Sequence, residues 1–403
     1  MKLPALRMNL DFAPSPLADR PGLLIRDPFR FSDTTLIIPP PLVECLSFFD
    51  GEHTELDLRE WLVRRTGELT VGDFQRQLQE TLSEAGFLLD DKYEQLRAER
   101  LREFEESPAR QPTHAGSAYP DEQDRLAAML NQYLTAEAPP DPEDGPLLGI
   151  AAPHVSLEGG WRCYQAAYRA LKASYADRTF VILGTSHYGE AGKFGLTRKN
   201  YATPFGEAQC DIAGVDYLAQ AAPQAVTLED YCHSVEHSIE FQVIFLQHLF
   251  GPQVRILPVL CGSFQRSIQE GGLPEQEETV RRFFDALGEL ASRQGPNLFW
   301  VLGIDLAHMG RRYGDPYAAE ANQGPMQDVA ARDRRRLECV QAGDREGFWR
   351  LVQQNHDDLK WCGAAPLYTF LSALPQARGR LLRYEQWNID EQSVVSFAGM
   401  AFR

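Results

Sequence analysis

The sequence holds no run of about 18 apolar residues, the length a helix needs to cross a bilayer, so no membrane span is expected. Its opening stretch, MKLPALRMNLDFAPSPLADRPG, lacks the apolar block that begins a signal peptide. Basic residues are comparatively few. Against 57 Asp and Glu stand 40 Lys and Arg, for a net charge of -17. A surface this acidic repels phosphate backbones, and no Lys/Arg-rich block offsets it, which excludes nucleic acid as an expected partner. A disulfide framework is missing too. The seven cysteines, at 45, 163, 210, 232, 261, 339 and 362, are scattered and odd in number, as in a reduced cytoplasmic protein.

What is present is ordinary globular material. The 403 residues are 43% hydrophobic and 24% charged, enough for a sizeable core and two domains. Residues 1–21 read as an N-terminal extension. Residues 22–90 read as a small unit of winged-helix-like plan. In it, GLLIRDPFRFSD and TLIIPP predict two short strands, and PPLVECLSFFDGEHT, ELDLREWLVRRTG and TVGDFQRQLQETLSEAGFLL predict helices. Residues 91–111 are charged all round, as in a solvated linker helix. A second domain then runs over 112–403, with APPDPEDGP (138–146) as a Pro- and acid-rich loop.

In that second domain, LLGIAA (147–152), TFVILG (179–184), VRILPVL (254–260) and LFWVLGI (298–304) read as buried strands. GWRCYQAAYRALKASY (160–175) and EETVRRFFDALGELASRQ (277–294) read as helices between them. The alternation predicts an α/β domain with a mostly parallel central sheet flanked by helices. Ligands of such sheets bind beyond the carboxyl ends of the strands. The first strand ends in Pro153-His154, the second in Thr185-Ser186-His187, and the fourth in Asp305 followed by His308. Strands lie about 4.8 Å apart, so these side chains can converge on one ion. Neutral imidazoles suit zinc, iron or copper, and an anionic third ligand would complete the set. Cys362 is the thiolate candidate, since a helix is expected from about Ala364 and a helix N-terminus stabilises a thiolate. Cys45, Cys163, Cys210, Cys261 and Cys339 sit in apolar or helical surroundings and read as structural; Cys232 stays open.

The stretch YCHSVEHSIEFQ (231–242) carries His233, Glu236 and His237 in the spacing H-x-x-E-H, a pattern seen in some zinc peptidases. Here it lies between strands of a parallel sheet, which does not suit a peptidase. Chelator-sensitive peptide cleavage is therefore the least favoured of three functional readings.

Several motifs occur together and in order: THAGSAYP, IAAPHVSLEGG, FVILGTSHYG, YATPFGE, VEHSIEFQ, ILPVLCG, VLGIDLAHMG, KWCGAAPL and SVVSFAGMA. In this the chain resembles the Memo-like family over roughly residues 112–403. Among bacteria and archaea it is similar to the protein B members of the AmmeMemoRadiSam system, linked to a radical SAM protein and an AMMECR-type protein. The resemblance implies a fold similar to class III extradiol dioxygenases. It implies a mononuclear metal, iron or copper with zinc as the alternative, on His154, His187 and Cys362. Glu236, His237, Asp305 and His308 would line the pocket, with His237 or His308 as acid/base held by Glu236 or Asp305. Two motifs depart from the family's form. Val155-Ser156-Leu157 replaces its usual small turn after the first ligand, and Tyr188 stands where a second His is often found. A thiolate in place of the dioxygenases' carboxylate argues against inferring ring cleavage from the fold.

The segment 22–90 resembles PqqD-like domains, which bind leader peptides of modified peptides. The remaining readings are therefore a metal-dependent redox or oxygenase-type protein and a non-catalytic, peptide-binding adaptor with a vestigial pocket.

Overall fold

The computed structural model describes residues 1–15, 17, 19–137 and 145–403. The stretch read as a loop at 138–146 lies almost entirely outside these. The chain divides into two compact units, Met1–Ser107 and Pro108–Arg403.

In the first unit three short strands, Asp11–Pro14, Leu23–Arg26 and Thr35–Ile38, pair antiparallel in that order. A helical turn, Pro40–Val43, leads into a 3-10 turn, Glu44–Phe48, where the sequence pattern suggests one continuous helix. The helix Glu55–Thr66 starts at a capping box between Thr54 and Asp57 and stops at Gly67, whose φ of 77° only glycine adopts cheaply. The helices Gly72–Glu84 and Asp91–Glu106 follow.

Two sequence boundaries change. Residues 1–21 are not an appendage: Leu3 and Leu10 are buried, and Asp11–Pro14 is a sheet strand. The Asp91–Glu106 helix is not a free linker either, because it buries Tyr93 and Phe104 and belongs to the first unit. Arg7 anchors the unit. Its guanidinium, 1% exposed, meets both carboxylate oxygens of Asp27 at 2.9 and 3.0 Å and lies over the Tyr93 ring.

The second unit is built on one large sheet. Its centre runs Ser393–Phe402, Gly149–Ala152, Leu298–Gly303, Thr179–Thr185 and Arg255–Cys261. The last four are mutually parallel, while Ser393–Phe402 joins antiparallel to Gly149–Ala152 and to the hairpin partner Gly379–Asp390. Alternate residues feed two cores. Ala151, Val181, Leu183, Val259 and Leu302 pack against the helices Glu278–Gln294 and Ala364–Ala373. Ile150, Phe180, Ile182, Leu260 and Val301 pack against Gln123–Thr135, Leu157–Tyr168 and Glu240–Phe250. This two-sided burial is why the strands read as continuous apolar runs. The expected α/β class, with helices flanking a mostly parallel sheet, holds. Among the described residues no helix is long and apolar enough to cross a membrane.

Two glycines at strand ends set up the site. A Cβ on Gly303 would fall 2.1 Å from the Ser238 carbonyl oxygen, and one on Gly184 would fall 2.5 Å from the Ser238 hydroxyl. Only a residue without a side chain lets the 236–238 turn settle onto both strand ends.

The Arg7–Asp27 pair makes one energetic expectation. Replacing Arg7 with Met strands a buried carboxylate and should cost the first unit about 3–5 kcal/mol of stability. Hydrogen exchange over residues 1–107 reads this directly; a loss below ~1 kcal/mol would place the pair with weak surface ion pairs.

Candidate metal centre

The strand ends bring His154, His187 and Asp305 together. His154 follows Gly149–Ala152 through Pro153, whose carbonyl accepts a 2.8 Å bond from the Gln242 amide. The His154 backbone N–H donates to Asp305 Oδ1 at 3.0 Å, tying two strand ends. The His154 ring bonds through Nδ1 to the Gly303 carbonyl at 2.9 Å, so Nδ1 carries the proton and Nε2 is left for a ligand. Asp305 Oδ2 lies 3.6 Å from that Nε2.

Glu236 controls the other two imidazoles. Its carboxylate is 1% exposed. It accepts from the backbone N–H groups of His187 (2.9 Å), His237 (2.8 Å) and Ser238 (3.1 Å). It also meets Nδ1 of His187 and Nδ1 of His237, each at 3.1 Å. Both rings are thereby turned with Nε2 away from the carboxylate. They stack, with centroids 5.1 Å apart and planes 8° from parallel. His154 stands edge-on to both, at 5.0 and 5.2 Å. One nitrogen from each of His154, His187 and His237 lies within 4.8 Å of the others, a group able to hold a metal ion.

Cys362 joins from a fourth direction, just ahead of the helix Ala364–Ala373. Its Sγ lies 3.2 Å from His154 Nε2. The Thr185 hydroxyl donates to the Cys362 carbonyl at 3.0 Å, and the Gly363 N–H donates to the Asp305 carbonyl at 3.0 Å. Gly363 is required there, since a Cβ would sit 2.6 Å from the Asp305 carbonyl oxygen.

The electrostatics are those of a cation site. Burial works against a charged His154, but Asp305 and the Cys362 sulfur outweigh it and push its pKa up to about 9. Burial likewise opposes charge on His187, and Glu236 overcomes it. Burial would raise the Cys362 thiol, yet His154 and His308 hold it well below the usual range, as a thiolate. Burial would also raise Glu236, and His187 holds it far down. On His237 burial prevails and the pKa is lowered, which favours a neutral ring. The other six thiols are pushed up by burial, Cys45 to about 11 and Cys210 and Cys261 to about 12. Cys232, open in the sequence, is buried like Cys45, Cys163 and Cys261. Imidazole nitrogens with fixed Nδ1 partners and a thiolate are a donor set that fits a transition metal.

The H-x-x-E-H pattern does not act as a unit. The helix Cys232–Val235 ends at Glu236, which is extended (φ -77°, ψ 137°), and a new helix begins at Glu240. His233 is buried away from the cluster, bonded to the Tyr201 hydroxyl at 2.6 Å and the Gly195 carbonyl at 3.0 Å. The break is held by Arg110, fully buried, which donates 2.8 Å bonds to the carbonyls of His233 and Glu236 and pairs with Glu240. These geometries leave no two-histidine helical face, so the peptidase reading falls.

A family model described as Memo-like protein matches residues 110–401. The chain belongs to the Memo-like family. A MEMO1 family protein of Aquifex aeolicus is 27% identical over 383 residues, 94% of this chain and 95% of that protein. One from Methanopyrus kandleri is 25% identical over 309 residues, 73% of this chain and 99% of that protein. One from Thermoplasma acidophilum is 32% identical over 297 residues, 72% of this chain and 97% of that protein. The Aquifex match extends through most of the first unit. The two archaeal matches span a share of this Memo-like chain no larger than its second unit.

Other family positions are placed as follows. His308 bonds through Nδ1 to the carbonyls of Leu306 (3.0 Å) and Lys360 (3.1 Å) and lies against Tyr313, outside the three-imidazole group. Val155 packs in a small cluster with Phe397 and Trp387. Tyr188 flanks His187 at 6.2 Å between ring centroids. Sequence reasoning missed His114, whose ring lies 5.6 Å from His237 and whose Nε2 bonds the Val235 carbonyl at 2.9 Å. THAGSAYP marked its segment but gave no sign of its partner.

Glu236→Gln tests the shared carboxylate. An amide offers one acceptor and presents its own N–H groups to donors. Stability should drop by about 1–3 kcal/mol, and metal affinity should weaken by roughly 10–100-fold. Denaturant unfolding and anaerobic metal titration check this; unchanged affinity would show that ring orientation does not depend on Glu236.

Proposed function

We propose that the second unit is a mononuclear metal site for redox or oxygenase-type chemistry, with His154, His187 and Cys362 as ligands. The observation that carries this is a thiolate held 3.2 Å from an imidazole nitrogen whose ring is fixed through its other nitrogen. Imidazoles with a soft thiolate suit iron or copper, with zinc as the alternative. When bound, such an ion supplies Lewis acidity or a redox couple. The chain's own groups do the rest. Glu236 fixes the His187 and His237 rings. Asp305 sets the His154 backbone and faces its Nε2. His237 is either a further nitrogen donor or, with its neutral ring beside the ligands, the group that takes and returns a proton. His308, with Nδ1 engaged by two carbonyls, keeps Nε2 for the same work. Family likeness supports service alongside a radical SAM protein and an AMMECR-type protein. A cytoplasmic setting belongs to the same proposal, because a ligating thiolate must stay reduced.

A second reading has its own support. The first unit is a separate compact fold, and the Aquifex relative shares most of it. A PqqD-like, peptide-binding role for it would make the whole chain an adaptor. Its mark would be peptide retained by the full chain whether or not metal is bound.

Anaerobically purified full-length protein should carry a single transition-metal ion per chain by elemental analysis. His154→Ala and Cys362→Ser should each lower that occupancy and weaken affinity by at least about 10-fold. Full retention of metal in both variants would overturn the ligand assignment.

A further inference from the structure

The segment that delivers Cys362 is strained. After the helix Arg345–Gln353, Asn355, His356 and Asp357 take φ values of 52°, 54° and 55° in succession, and Lys360 follows at 55°. None of these is glycine. Each places Cβ against a neighbouring carbonyl, and such a run persists only where its surroundings over-determine it.

Lys360 is paired to Asp315 at 2.9 Å, and the main hold on the segment is one helix, Pro325–Ala342. Its Arg336 is 2% exposed and donates through Nη1 to Asp357 Oδ1 at 2.7 Å. The other Asp357 oxygen accepts the Trp361 N–H at 2.9 Å, so the ion pair reaches the residue just before Cys362. Asp333 accepts from the Trp361 indole at 2.7 Å, and Arg332 pairs with Asp358. The Arg336 guanidinium also lies over the Trp361 ring, 5.2 Å from its centroid. Beyond this grip the chain is tied to the strand ends. The His308 N–H donates to the Leu359 carbonyl at 2.9 Å, and Cys362 and Gly363 bond Thr185 and Asp305.

We infer that Arg336, acting through Asp357, is a positioning residue for the Cys362 sulfur: the pair holds a left-handed turn that sets how far the sulfur projects toward His154. Arg336 touches neither the imidazoles nor the sulfur. The inference rests on the reading of Cys362 as a metal ligand, and it adds that the ligand is aimed from outside the site. A residue needed only for folding would affect all metal donors together. A residue that aims the sulfur should affect the sulfur–metal bond while the imidazoles keep their ion.

The test uses the full-length chain loaded anaerobically with cobalt(II). The wild type should show both the visible bands of the bound ion and a near-ultraviolet sulfur-to-cobalt charge-transfer band. In Arg336→Met the charge-transfer band should fall or shift, with cobalt affinity weakened by roughly 10–100-fold and the visible bands retained at saturation. His356→Gly in that background should restore the band, since glycine adopts the left-handed turn without the clamp. His356 is exposed, and among the described residues its side chain bonds only the Ile268 carbonyl, at 3.3 Å, so its loss removes little else. If Arg336→Met does not fold, Asp357→Asn serves, because Asn tolerates the conformation and keeps an acceptor for Trp361 while losing the charge. An unchanged band and affinity in either folded variant overturns the inference alone. Absence of the band in the wild type removes Cys362 as a ligand, and the inference with it.

Discussion

The centre of this protein depends on one buried carboxylate. Glu236 accepts from three backbone N–H groups and meets two imidazole nitrogens. A carboxylate this deeply buried is tolerable only when its lone pairs are filled, so its partners have little freedom. His187 and His237 must present Nδ1 to it and Nε2 away from it. Two side chains from different parts of the chain thus acquire a shared orientation from a group that is not itself a ligand. The same carboxylate sits on a break between two helices, and that break exists because Arg110 takes up the carbonyls that a continuous helix would have used internally.

Close approach is the second constraint. The Glu236–Ser238 turn lies directly on Gly184 and Gly303, near the carboxyl ends of two neighbouring strands. The Cys362–Gly363 turn lies on the carbonyl of Asp305. Backbones meet where side chains are absent, and the side chains proposed as ligands then project into the space between them. Rigid strands supply His154 and His187. A strained turn supplies Cys362. These are different mechanical solutions, since a strand end inherits its place from the sheet whereas a loop must be held by contacts of its own.

Much of this was legible in the sequence, and the divide is physical. Buried parallel strands write themselves as apolar runs, so the residues after them, His154, His187 and Asp305, point to one edge from the sequence alone. Cys362 was legible through the helix that follows it. His237 was only half legible: its motif was visible, but its ring orientation depends on Arg110, 126 residues from Glu236 in sequence. Residues 1–21 offer four leucines without a regular period, of which Leu3 and Leu10 are buried, and the Arg7–Asp27 pair beside them is encoded by no local pattern. The Asp91–Glu106 helix buries only Tyr93 and Phe104 within it, too sparse a stripe to register against so many charges.

The H-x-x-E-H spacing illustrates what a pattern can and cannot carry. On one continuous helix it would present two imidazoles to one ion. Here the helix breaks at the glutamate, and the three residues part company. His233 becomes a core histidine, Glu236 an organiser, and His237 a member of the three-imidazole group. What decides the matter is charge. Glu236, Asp305 and the Cys362 thiolate bring negative charge into a largely buried pocket, where Asp305 and Glu236 raise the pKa of His154 and His187 against the effect of burial. A divalent cation would answer the same potential with better geometry, because it could bond several donors at once where each proton bonds one. Proton and metal would therefore compete for the same donors, and the buried anions that make the pocket costly for a bare protein would favour an ion.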